Sequence, residues 1–281
     1  MKALTFLARR FVAGEEPQDA IAAGLALRRR GIHATFDLLG EDVADREAAR
    51  RSAECNKQLL RMIPPEVERN ISIKLSNLGL DIADELCVEM TAGVLDVARE
   101  VGGFVRIDME GSKHTQRTLD VFHRLRRTYD NVGIVLQAYL FRTEADVTEA
   151  VARGDRVRLC KGAYQEPPEI AWQDMDQIRA SFRRCARLLL AKGNYPAIAT
   201  HDEGLIQDAL GFARAEDVHA SRYEFQMLYG LRPRRWEELV AAGHNVRIYV
   251  PYGTHWVPYF YRRLRERREN VWAVVRSLFG G

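Results

Sequence analysis

The chain has 281 residues, 47% hydrophobic and 29% charged, with 42 Lys and Arg against 39 Asp and Glu for a formal net charge of +3. That is long enough to bury a sizeable core, and so even a balance argues against a dedicated nucleic-acid binder, which would carry basic stripes over much of its surface. No run approaches the roughly 18 apolar residues of a spanning helix, and MKALTFLARRFVAG has neither the apolar stretch nor the cleavage site of a signal peptide.

Cys55, Cys87, Cys160 and Cys185 are scattered without a CxxC or Cys/His ligand spacing. They read as four free thiols in a reducing cytoplasm rather than a zinc site or a disulfide framework. There is no internal repeat or low-complexity linker, so residues 1–281 read as a single domain with residues 1–32 as a helical extension. Within that extension IAAGLALRRRG is a short helix, expected to cover the body of the domain.

Next comes an alternation of short β-branched, apolar runs with longer amphipathic ones. HATFDLLG (33–40) is the first strand and ISIKLSN (71–77) the second, followed by the helix ELCVEMTAGVLDVAREVGG with its closing glycines. FVRIDMEG (104–111) precedes the helix QRTLDVFHRLRRTYD, and VGIVLQAY (132–139) precedes EADVTEAVARG. RVRLCKGAY (156–164) leads to IRASFRRCARLLLAKG; PAIATHD (196–202), YEFQMLYG (223–230) and VRIYVPYG (246–253) complete the set. Eight strands alternating with helices predict an α/β chain folded as a (βα)8 TIM barrel. A doubly wound open sheet shares the rhythm and is the main competitor.

The strand ends favour the barrel. Each carries a polar residue where the chain should leave the core: Glu41 just after the first, then Lys74, Asp108 with Glu110, Gln137, Arg158 with Lys161, Thr200 with His201, Gln226, and Tyr249. In barrels of this kind that rim holds the chemistry. From residue 245 to the end there are seven basic residues and two acidic ones, Glu266 and Glu269, so this tail is +5 and the rest of the chain −2. A bare run such as RRLRERREN is ordinarily a solvated helix, but the preceding VPYFYRR puts aromatics beside Arg262 and Arg263, as a partly buried pocket would. So many rim cations require anions, some supplied by Asp108, Glu110, Glu41 and Glu266 and the rest by a bound phosphate or carboxylate. An arginine fork suits a planar carboxylate.

His114, His123, His201, His219, His244 and His255 do not pair at i,i+4 and HExxH is missing, so no metal site is expected. The missing GxGxxG after a strand, GxxxxGK[ST] and GxSxG disfavour Rossmann-type dinucleotide binding, P-loop chemistry and Ser-His-Asp hydrolysis. Spacing alone therefore yields a barrel enzyme with a cationic rim, binding something with phosphate and carboxylate groups.

TFDLLGE, SIKLSNLG, RIDMEG, VGIVLQAYL, VRLCKGAY, ATHD, YEFQMLYG, VRIYVPYG and YRRLRERREN, in that order, resemble the proline dehydrogenase family, with a length similar to its monofunctional bacterial form. Cys160, where that family often has an aliphatic residue, is a small departure. The resemblance implies a distorted (βα)8 barrel with extra N-terminal helices and a final helix over the barrel mouth. It implies FAD-dependent oxidation of L-proline to Δ1-pyrroline-5-carboxylate by hydride transfer to flavin N5, the first step of proline catabolism to glutamate. Electrons would pass to a membrane quinone, and a separate pyrroline-5-carboxylate dehydrogenase would take the product.

By the same resemblance Arg262 and Arg263 clamp the proline carboxylate with Lys74, Tyr249 packs over the ring, and Ala163 and Leu228 are apolar walls. Asp108 lies near substrate and flavin, and Glu41 gates the pocket. Gln137 and Arg158 contact the isoalloxazine; Lys161, Gly162, Ala163, Thr200, His201 and Glu266 surround the remainder of FAD. A hydroxyproline dehydrogenase is the near alternative, disfavoured by the bulk of Tyr249. A Schiff-base lyase using Lys74 or Lys161, and a non-enzymatic anion binder, are the distant ones. The terminal NVWAVVRSLFGG, with Trp272, Val275, Leu278 and Phe279, would suit either a peripheral membrane contact or packing on the barrel.

Overall fold

The computed structural model describes residues 10–40, 43–257 and 259. Eight parallel strands close into a barrel in sequence order: β1 (His33–Leu38), β2 (Asn70–Ile73), β3 (Phe104–Ile107), β4 (Val132–Gln137), β5 (Arg156–Cys160), β6 (Ala197–Ala199), β7 (Glu224–Leu228) and β8 (Asn245–Tyr252). Closure rests on β1 against β8, in register from His33 opposite Arg247 to Leu38 opposite Tyr252. All eight expected strands are present and the open sheet is ruled out. Most stop short of the expected ends, so Lys74, Asp108, Glu110, Lys161, Thr200 and His201 sit just past their strands.

The helices among the described residues are α1 (Pro17–Arg28), α2 (Arg46–Met62), α3 (Asp84–Glu100), α4 (Ser112–Arg126), α5 (Thr143–Arg153), α6 (Met175–Lys192), α7 (Glu203–Ala215) and α8 (Pro233–Ala241). In the N-terminal extension α1 starts earlier than its apolar run suggests. Pro17 opens it, and a reciprocal box between Glu16 and Asp19 satisfies its first amides. Ahead of it the chain runs along the end of β8, where the Ala13 amide donates to the Pro251 carbonyl (2.9 Å). Phe11 and Val12 are thereby buried with Leu39, Leu231 and Tyr259, against Leu228 and Tyr249 at the barrel mouth. Glu41, Arg262, Arg263 and Glu266, the final helix expected over the mouth, and the terminal apolar segment lie outside the described residues.

Alternation along the strands separates two environments. Phe36, Ile71, Ile73, Val105, Ile107, Ile134, Leu136, Val157, Leu159, Ile198, Phe225, Met227, Val246, Ile248 and Val250 face the helices and form one continuous apolar core. The intervening positions face the barrel axis and are largely polar: Thr35, Asp37, Ser72, Arg106, Gln137, Arg158, Glu224, Gln226 and Arg247, all buried. Barrels ordinarily fill this space with branched apolar side chains. Here pairing replaces packing.

At the N-terminal end of the barrel the Arg247 Nε donates to both oxygens of Glu224 (3.0 and 3.1 Å), its Nη1 to the Ala34 carbonyl (2.9 Å) and its Nη2 to Glu68 (2.9 Å). The Arg106 guanidinium lies over Gly133 and donates to the Ile134 and Arg156 carbonyls. A Cβ on Gly133 would stand 2.5 Å from its Nη1, so glycine makes the room. Burial pushes the Glu224 carboxyl up, but the charge and hydrogen bonds of Arg247 outweigh it and hold the group below its ordinary 4.5.

A carboxyl held below its unfolded value contributes stability that is complete above about pH 4.5 and is lost as the pH falls below it. Arg247→Leu strands Glu224 in the interior, and the expected loss is about 3–5 kcal/mol at neutral pH. Urea melts at successive pH values should show the variant and parent converging in acid, where Glu224 is protonated in both.

Candidate active site

The mouth is built from the carboxyl ends of the strands. β1 contributes Asp37, the turn after β2 Lys74, the turn after β3 Asp108, β5 Arg158 and β8 Tyr249. These five form one hydrogen-bonded cluster. Lys74 Nζ donates to both oxygens of Asp37 (3.0 Å each) and lies 3.4 Å from the Tyr249 hydroxyl and 4.0 Å from Asp108 Oδ2. Arg158 Nη1 donates to Asp108 Oδ1 (2.7 Å), and the Tyr249 hydroxyl donates to Asp108 Oδ2 (2.8 Å). Arg158 reaches across the barrel to the Ser72 hydroxyl (2.9 Å), itself 3.1 Å from Thr35 Oγ1. The guanidinium carbon also sits 5.3 Å from the centroid of the Tyr249 ring, a cation–π contact.

Two cations and two carboxylates make this cluster neutral. Burial pushes the Asp37 carboxyl above its usual 3.8, against the opposing pull of Lys74 and with the added repulsion of Asp108. Burial, then the Asp108 and Asp37 charges, raise the Tyr249 phenol well above 10, so it remains a neutral donor. Burial also raises Glu110, which accepts from the Ser76 amide (3.0 Å) and hydroxyl (2.5 Å). The charge of Lys74 pulls the other way, so Glu110 interacts electrostatically with that rim cation while its hydrogen bonds go to Ser76. The Glu110 backbone carbonyl accepts from Gln137 Nε2 (2.9 Å), fixing that amide.

A second arc centres on Asp202. Its Oδ2 accepts from Lys161 Nζ (3.3 Å) and Arg179 Nε (2.8 Å), and its Oδ1 caps α7 through the Gly204 amide (3.1 Å). Against the upward push of burial, the Arg179 hydrogen bond and the Lys161 charge hold Asp202 below its ordinary value. The Thr200 hydroxyl accepts from the Asp202 amide (3.1 Å). His201 Nε2 accepts from the Leu228 amide (3.0 Å), which fixes that nitrogen as unprotonated and ties β6 to β7. Gly162 has φ +121°, and a Cβ there would fall 2.3 Å from the Tyr139 ring. Only glycine fits that turn.

Among the predicted residues the structure thus unites Lys74, Asp108, Arg158 and Tyr249 in one cluster and Lys161, Thr200, His201 and Leu228 in another. Gln137, Gly162 and Ala163 lie on the same rim, after β4 and β5. Sequence reasoning missed Asp37, Ser72 and Asp202. Asp37 carried a usable signal, since His33, Thr35 and Asp37 are the polar half of an alternating strand. Asp202 closes the run PAIATHD and so looks like a strand end, but it caps α7.

Arg158 Nε is buried with no hydrogen-bond partner among the described residues. An unused donor on a buried cation of β5, and a turn after the same strand stripped of its side chain, together fit a ligand that brings acceptor atoms and approaches the main chain closely.

A family model described as Proline dehydrogenase matches residues 20–276. Proline dehydrogenase 1 of Bacillus subtilis subsp. natto is 38% identical over 272 residues, covering 96% of this chain and 90% of that protein. Proline dehydrogenase of Deinococcus radiodurans is 36% identical, covering 98% of this chain and 91% of its own length. Among solved structures, proline utilization A from Bdellovibrio bacteriovorus, inactivated by N-propargylglycine, superposes with a TM-score of 0.87 at 27% identity over 96% of this chain. This chain spans only 33% of that larger one.

Lys74→Met removes the largest downward influence on Asp37 and leaves burial and the Asp108 charge. The Asp37 carboxyl should then titrate higher still, and the variant should lose stability with rising pH over a range where the parent is flat. Infrared spectra should show a protonated-carboxyl band in Lys74→Met at a pH where the parent has none, abolished by adding Asp37→Asn.

Proposed function

The chain belongs to the proline dehydrogenase family, and from that membership we propose that it is the oxidoreductase that converts L-proline to Δ1-pyrroline-5-carboxylate, the first step of proline catabolism. The observation that carries the reading is the neutral cluster of Lys74, Asp37, Asp108, Arg158 and Tyr249, set at the strand ends of a barrel whose sequence matches the family over most of its length. Proline is a zwitterion with one carboxylate, one amine and an apolar ring. Each part has a complement in this chain.

Lys74, Arg262 and Arg263 receive the carboxylate, a planar group suited to arginine forks. Tyr249 covers the ring, with Ala163 and Leu228 as apolar walls, and Glu41 closes the pocket. The C5–H bond breaks with its electron pair, the nitrogen lone pair forms the C5=N bond, and the amine proton leaves to solvent. That sequence needs a neutral amine, and cations gathered on the carboxylate disfavour an ammonium beside them. Asp37 holds the Lys74 ammonium at fixed position, so little reorganisation is needed when the carboxylate arrives.

FAD is the cofactor in this reading, and when bound it supplies the hydride acceptor. Asp108, Gln137 and Arg158 would meet the flavin ring system, the unpaired Arg158 Nε supplying a donor. Lys161, Gly162, Ala163, Thr200, His201 and Glu266 would surround the remainder of the cofactor. A quinone is the onward electron acceptor, and a separate pyrroline-5-carboxylate dehydrogenase the next enzyme. Among the described residues no helix is long and apolar enough to cross a membrane. Contact with a quinone-bearing membrane would fall to the terminal segment around Trp272 and Phe279. The engagement of Lys74 by both oxygens of Asp37 runs against its use as a Schiff-base amine.

Visible spectra of the purified protein, with and without L-proline under anaerobic conditions, test this. Flavin bands that bleach with proline are expected. A protein that stays colourless on FAD titration would overturn the assignment, and bleaching by hydroxyproline alone would move it to the near alternative. Arg262→Ala and Arg263→Ala should each raise KM for proline about 10- to 100-fold, the worth of one charge-assisted interaction. Tyr249→Phe should lower kcat/KM about tenfold through the lost hydrogen bond to Asp108.

A further inference from the structure

The link from β5 to α6, residues 161–174, is the longest strand-to-helix connection among the described residues, and it carries Lys161, Gly162 and Ala163. Length of this kind costs conformational entropy unless the segment is tied down. Both ends are laced to the segment after β4. The Tyr139 amide donates to the Lys161 carbonyl (2.8 Å), the Trp172 amide to the Tyr139 carbonyl (2.8 Å), and the Phe141 amide to the Ile170 carbonyl (3.0 Å). The middle is held differently.

Glu166 reaches from the centre of the link to the start of α4. Its Oε1 accepts from the Ser112 amide (2.7 Å) and from the Tyr139 hydroxyl (3.4 Å), and its Oε2 accepts from the Ser112 hydroxyl. The residue preceding α4 is Gly111, which has no side chain with which to cap the helix. A carboxylate from another strand's loop does it instead, placed where the helix dipole favours negative charge. The same Tyr139 whose hydroxyl meets Glu166 has its ring packed against Gly162. One carboxylate therefore connects the turn bearing Gly162 to the segment that carries Asp108 and Glu110.

We infer that Glu166 is a positioning residue that clamps the β5 link across the barrel mouth, fixing Lys161, Gly162 and Ala163 relative to Asp108. Its effect on ligand binding rests on the flavin reading given above; the clamp itself does not. Glu166 acts through Ser112 and Tyr139 and touches neither substrate nor flavin in this scheme. Without it the link stays attached at both ends and keeps the backbone hydrogen bond of Tyr164 to Tyr139, but it loses its tie to Ser112 at the start of α4, and the cradle at Gly162 is less firmly set against the segment that carries Asp108.

The test compares Glu166→Ala, Glu166→Gln and Ser112→Ala with the parent protein. In the ligand-free state, hydrogen exchange at the Ser112 amide and across residues 161–174 should accelerate tenfold or more in Glu166→Ala. Glu166→Gln keeps a neutral acceptor for the Ser112 amide and should be intermediate, while Ser112→Ala loses only the hydroxyl contact and should be mildest. For FAD titrated into the apoprotein, Kd should rise about 10- to 100-fold in Glu166→Ala and be partly rescued in Glu166→Gln. With saturating FAD, KM for proline should change less than the FAD Kd. Unchanged exchange in Glu166→Ala would overturn the clamp whatever the protein binds. Faster exchange with an unaltered FAD Kd would overturn its role in positioning. If the parent bound no FAD at all, the functional reading would fail, and the exchange data would still decide the clamp.

Discussion

The carboxylate of Asp108 is shared between two donors from opposite sides of the barrel. Arg158 of β5 occupies one oxygen and Tyr249 of β8 the other, at 2.7 and 2.8 Å. Three strands meet at that one group, and the guanidinium goes on to Ser72 of β2. A buried guanidinium, a phenol and a carboxylate are each costly in isolation and tolerable only when satisfied together. The geometry of the mouth is therefore set by an all-or-none condition. Moving Asp108 would unpair Arg158 and Tyr249 at once and leave the approach to Lys74 without its frame.

The same condition extends down the axis. Where an ordinary barrel would stack branched apolar side chains, this one stacks Arg106, Arg158 and Arg247 with Asp37, Glu224 and Ser72, nearly all out of solvent. Apolar stability has moved to the other face of each strand, where the residues against the helices make a continuous core. The division of labour has a functional consequence. The outer core sets the strand positions and the inner pairs set the side chains, so polar groups at the mouth rest on a supporting layer that is itself fixed. Buried ion pairs of this kind contribute little net stability compared with apolar packing, but they define position sharply because a small displacement is expensive.

The strands were legible in the sequence because their outward faces are apolar throughout, mostly Val, Ile, Leu and Phe, and the count of eight followed. Their ends were less so. RVRLCKGAY reads as one run although the strand stops at Cys160, because the break is made by backbone at Gly162 (φ +121°), where no side chain announces it. Among the site residues, those at strand ends could be found by position. Asp37, inside β1, was hidden by its apolar neighbours, although alternation marks it as facing the axis. Partnerships were illegible for a different reason. Lys74 with Asp37 and Tyr249 with Asp108 join residues 37 and 141 positions apart, and only barrel closure brings them together. For Glu110 the position at the strand end signals its electrostatic coupling to Lys74 but not its hydrogen-bond partner, which is Ser76.

The electrostatic problem posed by the rim has a divided solution. Lys74 has Asp37, Arg158 has Asp108 and Lys161 has Asp202, so each of these cations comes with a carboxylate supplied by a different strand or turn. Such a rim orients an anionic ligand without offering it much net charge. Residues 260–281 contain six arginines and two glutamates, whereas the whole chain is +3, so the remainder of the chain is −1. The sequence's surplus of positive charge therefore lies in that arginine-rich segment, and directional hydrogen bonding lies in the barrel. Separating the two suits the proposed binding of a substrate carboxylate beside a phosphate-bearing cofactor. Long-range attraction has little directional content and is weakened by salt, whereas the internally paired cations keep their positions whether or not a ligand is present.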